Sequence, residues 1–303
     1  MHPAYTVIFF TVSSGFGFGL LFLLGLAPIW GLKPIGTFGW AGFVLGFGLA
    51  VGGLLSSTRH LGHPERAWRA LTQWRSSWLS REGVFAIACL ALNGIYALGA
   101  LFFDAPLIIF GVLSAMSACA VVYATGMIYA QLRTVQRWNS PLTPACYLLF
   151  SLSGGLMIVS ALRALNGSEA PLIFTILTLA AAWIVKIAHW KSGDDALPLS
   201  TPESATGLGG IGTVRLLESP HSSESYLQTE MGYQIARKHA VKLRWISASL
   251  GGLGPILLLI LAAIASFDAL WLTIATLMHL LGMLTERWLF FAEAKHAVMN
   301  YYT

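Results

Sequence analysis

Eight long apolar segments dominate this chain of 303 residues and constrain its fold more than any other feature. A helix of about 20 apolar residues crosses the hydrocarbon core of a bilayer. Only 10% of the residues are charged, whereas a soluble domain carries roughly 25%. We therefore predict an all-α integral membrane protein, in which residues 1–303 form one membrane domain with eight transmembrane helices. The predicted spans cover residues 6–30, 37–58, 83–103, 106–128, 143–163, 171–190, 243–266 and 269–290.

The Lys and Arg residues are distributed unevenly between the two ends of these spans. The loops after spans two, four and six, together with the C-terminal end, hold sixteen of the eighteen, whereas the opposite side holds only Lys33 and Arg163. Basic loops favour the cytoplasmic side of a membrane. We predict that the basic side and both termini are cytoplasmic. The net charge of +5 is then a topology signal, and no nucleic-acid partner is expected.

Residues 191–240 form the one sizeable hydrophilic segment, rich in Ser, Gly, Pro and Glu. Loops of this length are usually functional or disordered, and we predict that this one docks partner subunits in the cytoplasm. Gly207, Gly209 and Gly212 match G-x-G-x-x-G. A dinucleotide site needs a strand before such glycines and a helix after them, so we reject that site. Residues 229–245 are predicted to be helical and run basic into span seven.

The stretch between spans two and three, residues 56–82, concentrates charge at one membrane face. Pro64 suits the first turn of a helix, and the following residues predict a short basic amphipathic helix in the membrane interface, anchored by tryptophans. His60 precedes this helix, and Arg81 and Glu82 follow it. An ordinary basic loop that contacts lipid headgroups is the alternative interpretation. The apolar face holds Ala67, Leu71, Trp74 and Trp78, and the polar face holds Arg66, Arg69 and Gln73.

These residue types fit the chemistry of a membrane quinone. A quinone needs an apolar slot near one membrane face, and its reduction by two electrons takes up two protons. A histidine relays protons near neutral pH, an arginine stabilises negative charge on a reduced oxygen, and a carboxylate resupplies protons from water. His60, Arg66 and Glu82 supply these three groups at one depth, so we predict a quinone site there.

The last span carries a second set of ionisable residues. His279, Glu286 and Glu293 are seven residues apart and fall near one helix face. Ionisable groups inside a membrane usually face the protein interior or water, so His279 and Glu286 are candidates for a proton path. The alternative is a buried histidine with satisfied hydrogen bonds and a Glu286 carboxylate paired with Arg287.

No motif predicts a metal or haem site in this chain. Cys89, Cys119 and Cys146 lie far apart in apolar spans and match no metal-binding spacing. A membrane haem of the b type is typically held by two buried histidines, and only His279 lies near the middle of a span. We therefore expect no haem, and a partner must bring electrons to any quinone bound here.

Four segments of the chain form a recognisable set. They are H-L-G-H-P-E-R-A at 60–67, S-S-W-L-S-R-E at 76–82, H-P-A-Y-T-V-I-F-F-T near the start and E-R-W-L-F-F-A-E-A-K-H-A-V-M-N-Y-Y near the end. Together they resemble the membrane anchor subunit of the dimethyl sulfoxide reductase family. The resemblance implies an anchor that binds menaquinone or ubiquinone and holds an Fe–S subunit and a molybdopterin catalytic subunit. It implies a quinone site at His60, Arg66 and Glu82, and we predict that Ser80 and Arg81, beside the carboxylate, also bind the quinone.

Two features favour the sulfite-oxidising branch of that family. E-M-G-Y-Q-I-A-R-K-H-A at 230–240 resembles the anchor of that branch, and the charge bias puts the docking side in the cytoplasm. The resemblance then implies a multi-pass protein of the bacterial inner membrane. It would be a subunit without molybdenum or catalytic residues that passes electrons from sulfite oxidation to quinone. The alternatives are an anchor that oxidises quinol for a dimethyl sulfoxide or polysulfide reductase and, in another class, a solute transporter.

Overall fold

The computed structural model describes residues 3–59, 62–215, 217–218, 223, 231, 238–265 and 269–301. Within these ranges the regular structure is helical, and eight helical segments are long and apolar enough to cross a membrane. The predicted fold class is therefore confirmed. The α-helices are α1 (Tyr5–Leu26), α2 (Gly36–Thr58), α3 (Trp78–Phe102), α4 (Ile108–Ala130), α5 (Leu142–Leu165), α6 (Leu172–Asp194), α7 (Pro202–Thr206), α8 (Ala240–Ala248), α9 (Gly254–Ala265) and α10 (Ala269–Ala292).

The helices α1 and α5 form the centre of the bundle. In their most apolar windows 72% and 78% of the residues are buried, against 33% to 44% in the other six spans. A Cβ on Gly19 would lie 1.9 Å from the carbonyl oxygen of Ser151, and one on Gly17 would lie 2.4 Å from the backbone nitrogen of Ala50. The small residues of α1 therefore let it approach α2 and α5 closely, as small residues do between membrane helices.

The seventh span is made of α8, a π-helical turn at Ser249–Leu253, and α9. Pro255 has no N–H, so it gives no helical hydrogen bond to the carbonyl of Gly251, four residues earlier. That carbonyl accepts hydrogen bonds from Nε1 of Trp183 at 2.9 Å and from Nδ1 of His279 at 2.6 Å. The proline thus frees a backbone oxygen that ties the seventh span to α6 and α10.

The predicted interfacial helix is a 3₁₀-helix at Pro64–Gln73. Half of its ten residues are polar or charged, and Trp68 is 62% exposed. Trp74, directly after the helix, is 53% exposed. Exposed tryptophans at the end of a membrane span are typical of side chains that anchor in the headgroup region.

Span three begins earlier than the sequence predicts. The helix α3 starts at Trp78, whereas the predicted span starts at residue 83. The hydroxyl of Ser77 accepts a hydrogen bond from the backbone N–H of Ser80 at 3.5 Å and caps the helix. Glu82 consequently lies in the second turn of a membrane-spanning helix and not in the loop that precedes it.

Charged residues join the helix ends on the basic side of the bundle. Asp194, the last residue of α6, contacts Arg137 from the α4–α5 loop and Arg244 from α8, each at 2.6 Å. Glu293, directly after α10, contacts the same two arginines at 3.5 and 2.8 Å. This network fixes the two points at which the hydrophilic segment leaves α6 and enters α8.

Only part of the hydrophilic segment 191–240 belongs to the described residues. It contains the end of α6 and the short helix α7, which Thr201 caps by accepting a hydrogen bond from the backbone of Ser204 at 3.2 Å. The predicted basic helix at 229–245 appears as α8 from Ala240 onward. Residues 229–230 and 232–237 lie outside the described residues, and the docking role of the segment stays a prediction.

Candidate functional site

A cavity of about 640 Å³ lies between α1, α2, α3, α4 and the 3₁₀-helix, at the end of the bundle that carries the basic loops. We call it the interfacial pocket. Its walls are mostly apolar and include Phe10 from α1, Leu54 from α2, Leu71 from the 3₁₀-helix and Leu90 from α3. Cavities of roughly 300–1,000 Å³ with apolar walls and few polar groups are the usual sites for small organic ligands.

The interfacial pocket reaches the outer surface of the helix bundle. Leu79 and Ile87 line it and are also 54% and 57% exposed. In a membrane-spanning helix such exposed leucines and isoleucines face lipid tails. A molecule with an apolar chain can therefore enter the pocket from the bilayer, and its chain can extend into the lipid between these side chains.

Glu82 is the buried carboxylate of the pocket and is only 4% exposed. It accepts a hydrogen bond from the hydroxyl of Thr125 on α4. Tyr129, one turn further along α4, lines the same wall. Burying a carboxylate costs free energy unless hydrogen bonds or opposite charges offset it. Because the neutral Thr125 hydroxyl is the partner seen here, Glu82 is suited to exchange a proton or a hydrogen bond with a ligand.

Arg66 and His63 stand at the mouth of the pocket, where it meets the basic loop. Glu65 holds both of them, since its Oε1 lies 3.1 Å from Nδ1 of His63 and 3.7 Å from Nε of Arg66. The Arg66 side chain is 57% exposed. The mouth therefore presents a guanidinium and an imidazole to any polar group of a bound ligand.

The remaining predicted quinone-site residues have different positions. His60 lies outside the described residues. Arg81 donates hydrogen bonds to the carbonyls of residues 74 and 75 at 3.0 and 2.7 Å, so it fixes the end of the 3₁₀-helix. Ser80 is buried, and its hydroxyl has no hydrogen-bond partner among the described residues. Of the five predicted residues, the structure brings Arg66 and Glu82 together in the pocket wall.

A second group of charges is buried at the same end of the bundle. The Lys186 ammonium on α6 pairs with the carboxylate of Glu286 on α10, and Nη1 of Arg287 lies 3.2 Å from Oε2 of Glu286. The guanidinium of Arg287 also lies 3.9 Å from the ring centroid of Tyr147 on α5. All three charged side chains are at most 3% exposed. We call Lys186, Glu286 and Arg287 the buried ion cluster.

Sequence reasoning missed Lys186, Thr125 and Tyr129. That reasoning counted Lys186 among the charges of the basic side, whereas Lys186 lies in α6 and its side chain is buried in the helix bundle. The apolar residues around Lys186, W-I-V-K-I-A-H-W, could have identified it, because an ionisable residue inside an apolar span marks a functional site by default. Thr125 and Tyr129 had no such signal, since hydroxyls and tyrosines are common in membrane helices.

His279 and Glu286 have separate sets of contacts. The His279 ring stacks on Phe16 at 5.3 Å between centroids, and its Nε2 lies 3.3 Å from the hydroxyl of Ser153. Its other nitrogen bonds to the carbonyl of Gly251 in the π-helical turn. Glu286 contacts the cations of its own cluster. The path predicted through His279 and Glu286 stays a prediction.

The cysteines remain separate thiols. Cys89 and Cys146 are buried, and Cys119 is exposed. Within the described ranges, no group of three or more His, Cys, Asp and Glu residues could hold a metal ion.

Comparison with known proteins assigns the family. The DMSO reductase anchor subunit (DmsC) family matches residues 1–292. A sulfite dehydrogenase subunit from Allochromatium vinosum is 30% identical over 327 aligned residues, which cover 100% of this chain and 99% of that protein. No solved structure matches. The resemblance inferred from the motifs is confirmed: the chain belongs to the DMSO reductase anchor subunit (DmsC) family.

Proposed function

We propose that this chain is the quinone-binding membrane anchor of a molybdopterin and Fe–S oxidoreductase. It exchanges electrons between an Fe–S partner subunit and the membrane quinone pool, with ubiquinone or menaquinone as ligand. The Fe–S clusters and molybdopterin belong to the partner subunits. The observation that carries the proposal is the interfacial pocket, an apolar cavity open to lipid with Arg66 and Glu82 in its wall.

The lining of the pocket fits a quinone in two respects. Its apolar walls suit the ring, and the exposed gap beside Leu79 and Ile87 suits an isoprenoid tail that stays in lipid. The two carbonyl oxygens of a quinone lie on opposite edges of the ring and need hydrogen-bond donors. Arg66 at the mouth and a protonated Glu82 in the interior wall offer one donor for each edge.

The side chains of this chain would hold charge and move protons. Reduction of a quinone to a quinol takes up two electrons, here from the Fe–S partner, and two protons. Arg66 stabilises negative charge at the mouth-side oxygen. Glu82 gives a proton to the interior oxygen and is reprotonated afterwards. His60 supplies the mouth-side proton in this proposal. Arg81 supports the site by fixing the end of the 3₁₀-helix, and the Ser80 hydroxyl, which has no partner among the described residues, is available to the quinone.

Sulfite is the proposed substrate of the catalytic partner. The name of the Allochromatium relative, a sulfite dehydrogenase subunit, supports it. The basic side, with sixteen of the eighteen Lys and Arg residues, supports cytoplasmic termini and partner docking in the cytoplasm, for a multi-pass protein of the bacterial inner membrane. Sulfite and water yield sulfate, two protons and two electrons, which is the number of electrons that one quinone accepts.

An anchor of a dimethyl sulfoxide or polysulfide reductase is the second candidate. The description of the matched family, DMSO reductase anchor subunit, favours it. The same pocket would then bind quinol, and electrons would flow outward to the partner. The two candidates differ in the direction of electron flow and in the substrate of the partner.

The first experiment is purification of the chain from its native membrane in mild detergent, with mass spectrometry of the co-purifying proteins and analysis of metal and quinone. We expect a molybdenum protein, an Fe–S protein and a bound quinone, and sulfite-dependent quinone reduction. A chain that purifies alone without quinone would contradict the proposal and favour a solute transporter. Activity only with quinol and an oxidised sulfur substrate would favour the reductase.

A second experiment tests the site itself. In the purified complex, His60→Ala should abolish electron exchange with quinone while the partner subunits remain bound and still reduce a soluble redox dye. Full quinone turnover in this variant would contradict the assignment of His60.

A further inference from the structure

The buried ion cluster lies between two cavities on the basic side. One is the interfacial pocket. The other is a polar cleft of about 380 Å³, whose lining includes Arg133, Arg137, Asn139, His189 and Ser192. The cluster contains two cations and one carboxylate, all enclosed in the bundle. Buried charges are costly, and an ionisable residue inside a membrane span marks a functional site by default.

The cluster meets the polar cleft through α6. His189 lines the cleft and follows Lys186 by three residues, so both side chains lie on the same face of the helix. Nε2 of His189 lies 3.2 Å from the hydroxyl of Thr143. Lys186 in turn pairs with Glu286. His189 and Lys186, one helical turn apart on α6, therefore stand between the cleft and the Glu286 carboxylate.

The cluster meets the interfacial pocket through two tyrosines. Arg287 lies over the ring of Tyr147 at 3.9 Å, and that ring stacks on Tyr129 with centroids 5.8 Å apart. The Tyr147 hydroxyl itself is buried without a hydrogen-bond partner among the described residues, so it is unoccupied by any other acceptor or donor there. Tyr129 lines the interfacial pocket beside Glu82. A small cavity of about 10 Å³ borders Arg287 and Tyr147, which is close to the volume that one water molecule needs.

We propose that Lys186, Glu286 and Tyr147 form a proton route between the polar cleft and the interfacial pocket. This route rests on the proposed function, because the proton that it carries goes to the interior carbonyl oxygen of the bound quinone. A proton from cleft water passes along Lys186 and Glu286 to the Tyr147–Tyr129 pair and reprotonates Glu82 after Glu82 has protonated the quinone. Two electrons from the Fe–S partner and two protons, one by this route and one at the mouth, complete the quinol.

The chemistry of the three groups supports this role. A lysine ammonium, a carboxylic acid and a phenol can each give up a proton and then regain one, whereas a guanidinium stays protonated. Arg287 therefore acts as a positioning residue that keeps Glu286 in place. His279 is not part of this route, because its nitrogens face Gly251 and Ser153.

Two variants of the purified complex test the route. Lys186→Met removes the ammonium and leaves Glu286 and Arg287 as a balanced pair. Tyr147→Phe removes only a hydroxyl and keeps the ring under Arg287. Lys191→Met is the matched control, since this lysine lies on the same helix and is exposed. The measurements are affinity for a short-chain quinone, dye reduction by the partner subunits, quinone turnover, and the ratio of turnover rates in H2O and D2O.

We expect both variants to bind the quinone and reduce the dye like the wild-type complex. Their quinone turnover should fall by about tenfold or more, because a positioned proton donor contributes at least that factor. Their H2O/D2O rate ratio should rise, because proton transfer becomes slower than the other steps. The control should match the wild type in all four measurements.

The outcomes separate the route from the proposed function. If the wild-type complex binds and reduces quinone but Tyr147→Phe retains its turnover and isotope ratio, the route is wrong and the proposed function stands. If the wild-type complex binds no quinone, both are wrong. A Lys186→Met complex that fails to assemble leaves the decision to Tyr147→Phe, which keeps every buried charge.

Discussion

Two buried carboxylates at the same end of the bundle have opposite surroundings. Glu82 borders the interfacial pocket and accepts a hydrogen bond from one neutral hydroxyl, that of Thr125. Glu286 is enclosed among α5, α6 and α10 and lies between the cations of Lys186 and Arg287. Both are at most 4% exposed, so burial alone does not distinguish them.

The difference between the two sites lies in what offsets the cost of burial. At Glu286 the protein supplies opposite charges, which makes the carboxylate part of the framework that joins three helices. At Glu82 the protein supplies one hydroxyl and an adjacent cavity, which leaves the carboxylate available to a ligand. Loss of Glu286 should therefore affect assembly first, and loss of Glu82 should affect quinone turnover first.

The largest expected effect is that of Glu286→Gln on stability. It leaves two buried cations without a countercharge, and breaking a buried ion pair by removing one partner costs about 3–5 kcal/mol. Lys186→Met, which leaves a neutral Glu286–Arg287 pair, should cost clearly less. Thermal unfolding of the purified chain in detergent measures both. Equal stability of the two variants would show that charge balance does not govern this region.

Glu82→Gln should spare assembly and reduce function. The amide keeps the size of the side chain and still accepts a hydrogen bond from Thr125, but it cannot donate a proton to a quinone. We expect quinone turnover to fall by about 100-fold, the lower range for loss of a general acid. Dye reduction by the partner subunits is the control. A variant with normal quinone turnover would remove Glu82 from the proton chemistry.

Two glycines should respond in opposite directions to alanine. A Cβ on Gly282 of α10 would lie 2.1 Å from the backbone nitrogen of Gly251. A Cβ on Gly52 of α2, a helix that borders the interfacial pocket, would meet no atom within 4 Å. Gly282→Ala should destabilise the chain by about 1–3 kcal/mol through overpacking. Gly52→Ala should stabilise it by about 0.5–1 kcal/mol, the usual gain in a helix. The midpoint temperature of thermal unfolding in detergent should fall for Gly282→Ala and rise for Gly52→Ala. Shifts in the same direction would show that the two regions do not differ in packing.

The smallest expected effect is that of Arg66→Ala on quinone affinity. Arg66 lines the pocket, and loss of one charged hydrogen bond of about 1.5 kcal/mol corresponds to roughly tenfold weaker binding. Arg69, in the same 3₁₀-helix, does not line the pocket in the described structure and lies 5.6 Å from the ring of Trp68. Arg69→Ala should change affinity by less than about twofold. Titration of the complex with a short-chain quinone compares the two, and equal losses would indicate a general charge effect of the loop.

The sequence predicted the fold more completely than the site. The eight spans follow from local composition, and each predicted start lies within a few residues of the observed one except at α3. There the cap at Ser77 extends the helix by a turn, a local contact that hydropathy does not detect. Arg66 and Glu82 also line one cavity, because both residues flank one short loop, and their role in binding a quinone stays a prediction.

The contacts that sequence reasoning missed all join distant parts of the chain. Lys186 and Glu286 are one hundred residues apart, and Thr125 follows Glu82 by 43 residues. Periodicity shows which face of a helix is polar but not which helix that face meets. The seven-residue spacing of His279, Glu286 and Glu293 predicted a common face, whereas their partners lie on different elements.

The sequence by itself determined that this chain spans a membrane eight times and which loops carry its positive charge. Hydrocarbon excludes unpaired backbone and charge, so these features depend on local composition alone. Only the tertiary structure decided that Glu82 borders a cavity while Glu286 is enclosed by cations. That choice depends on how the helices pack against one another, because α4 places the Thr125 hydroxyl against Glu82 whereas α6 places the Lys186 ammonium against Glu286.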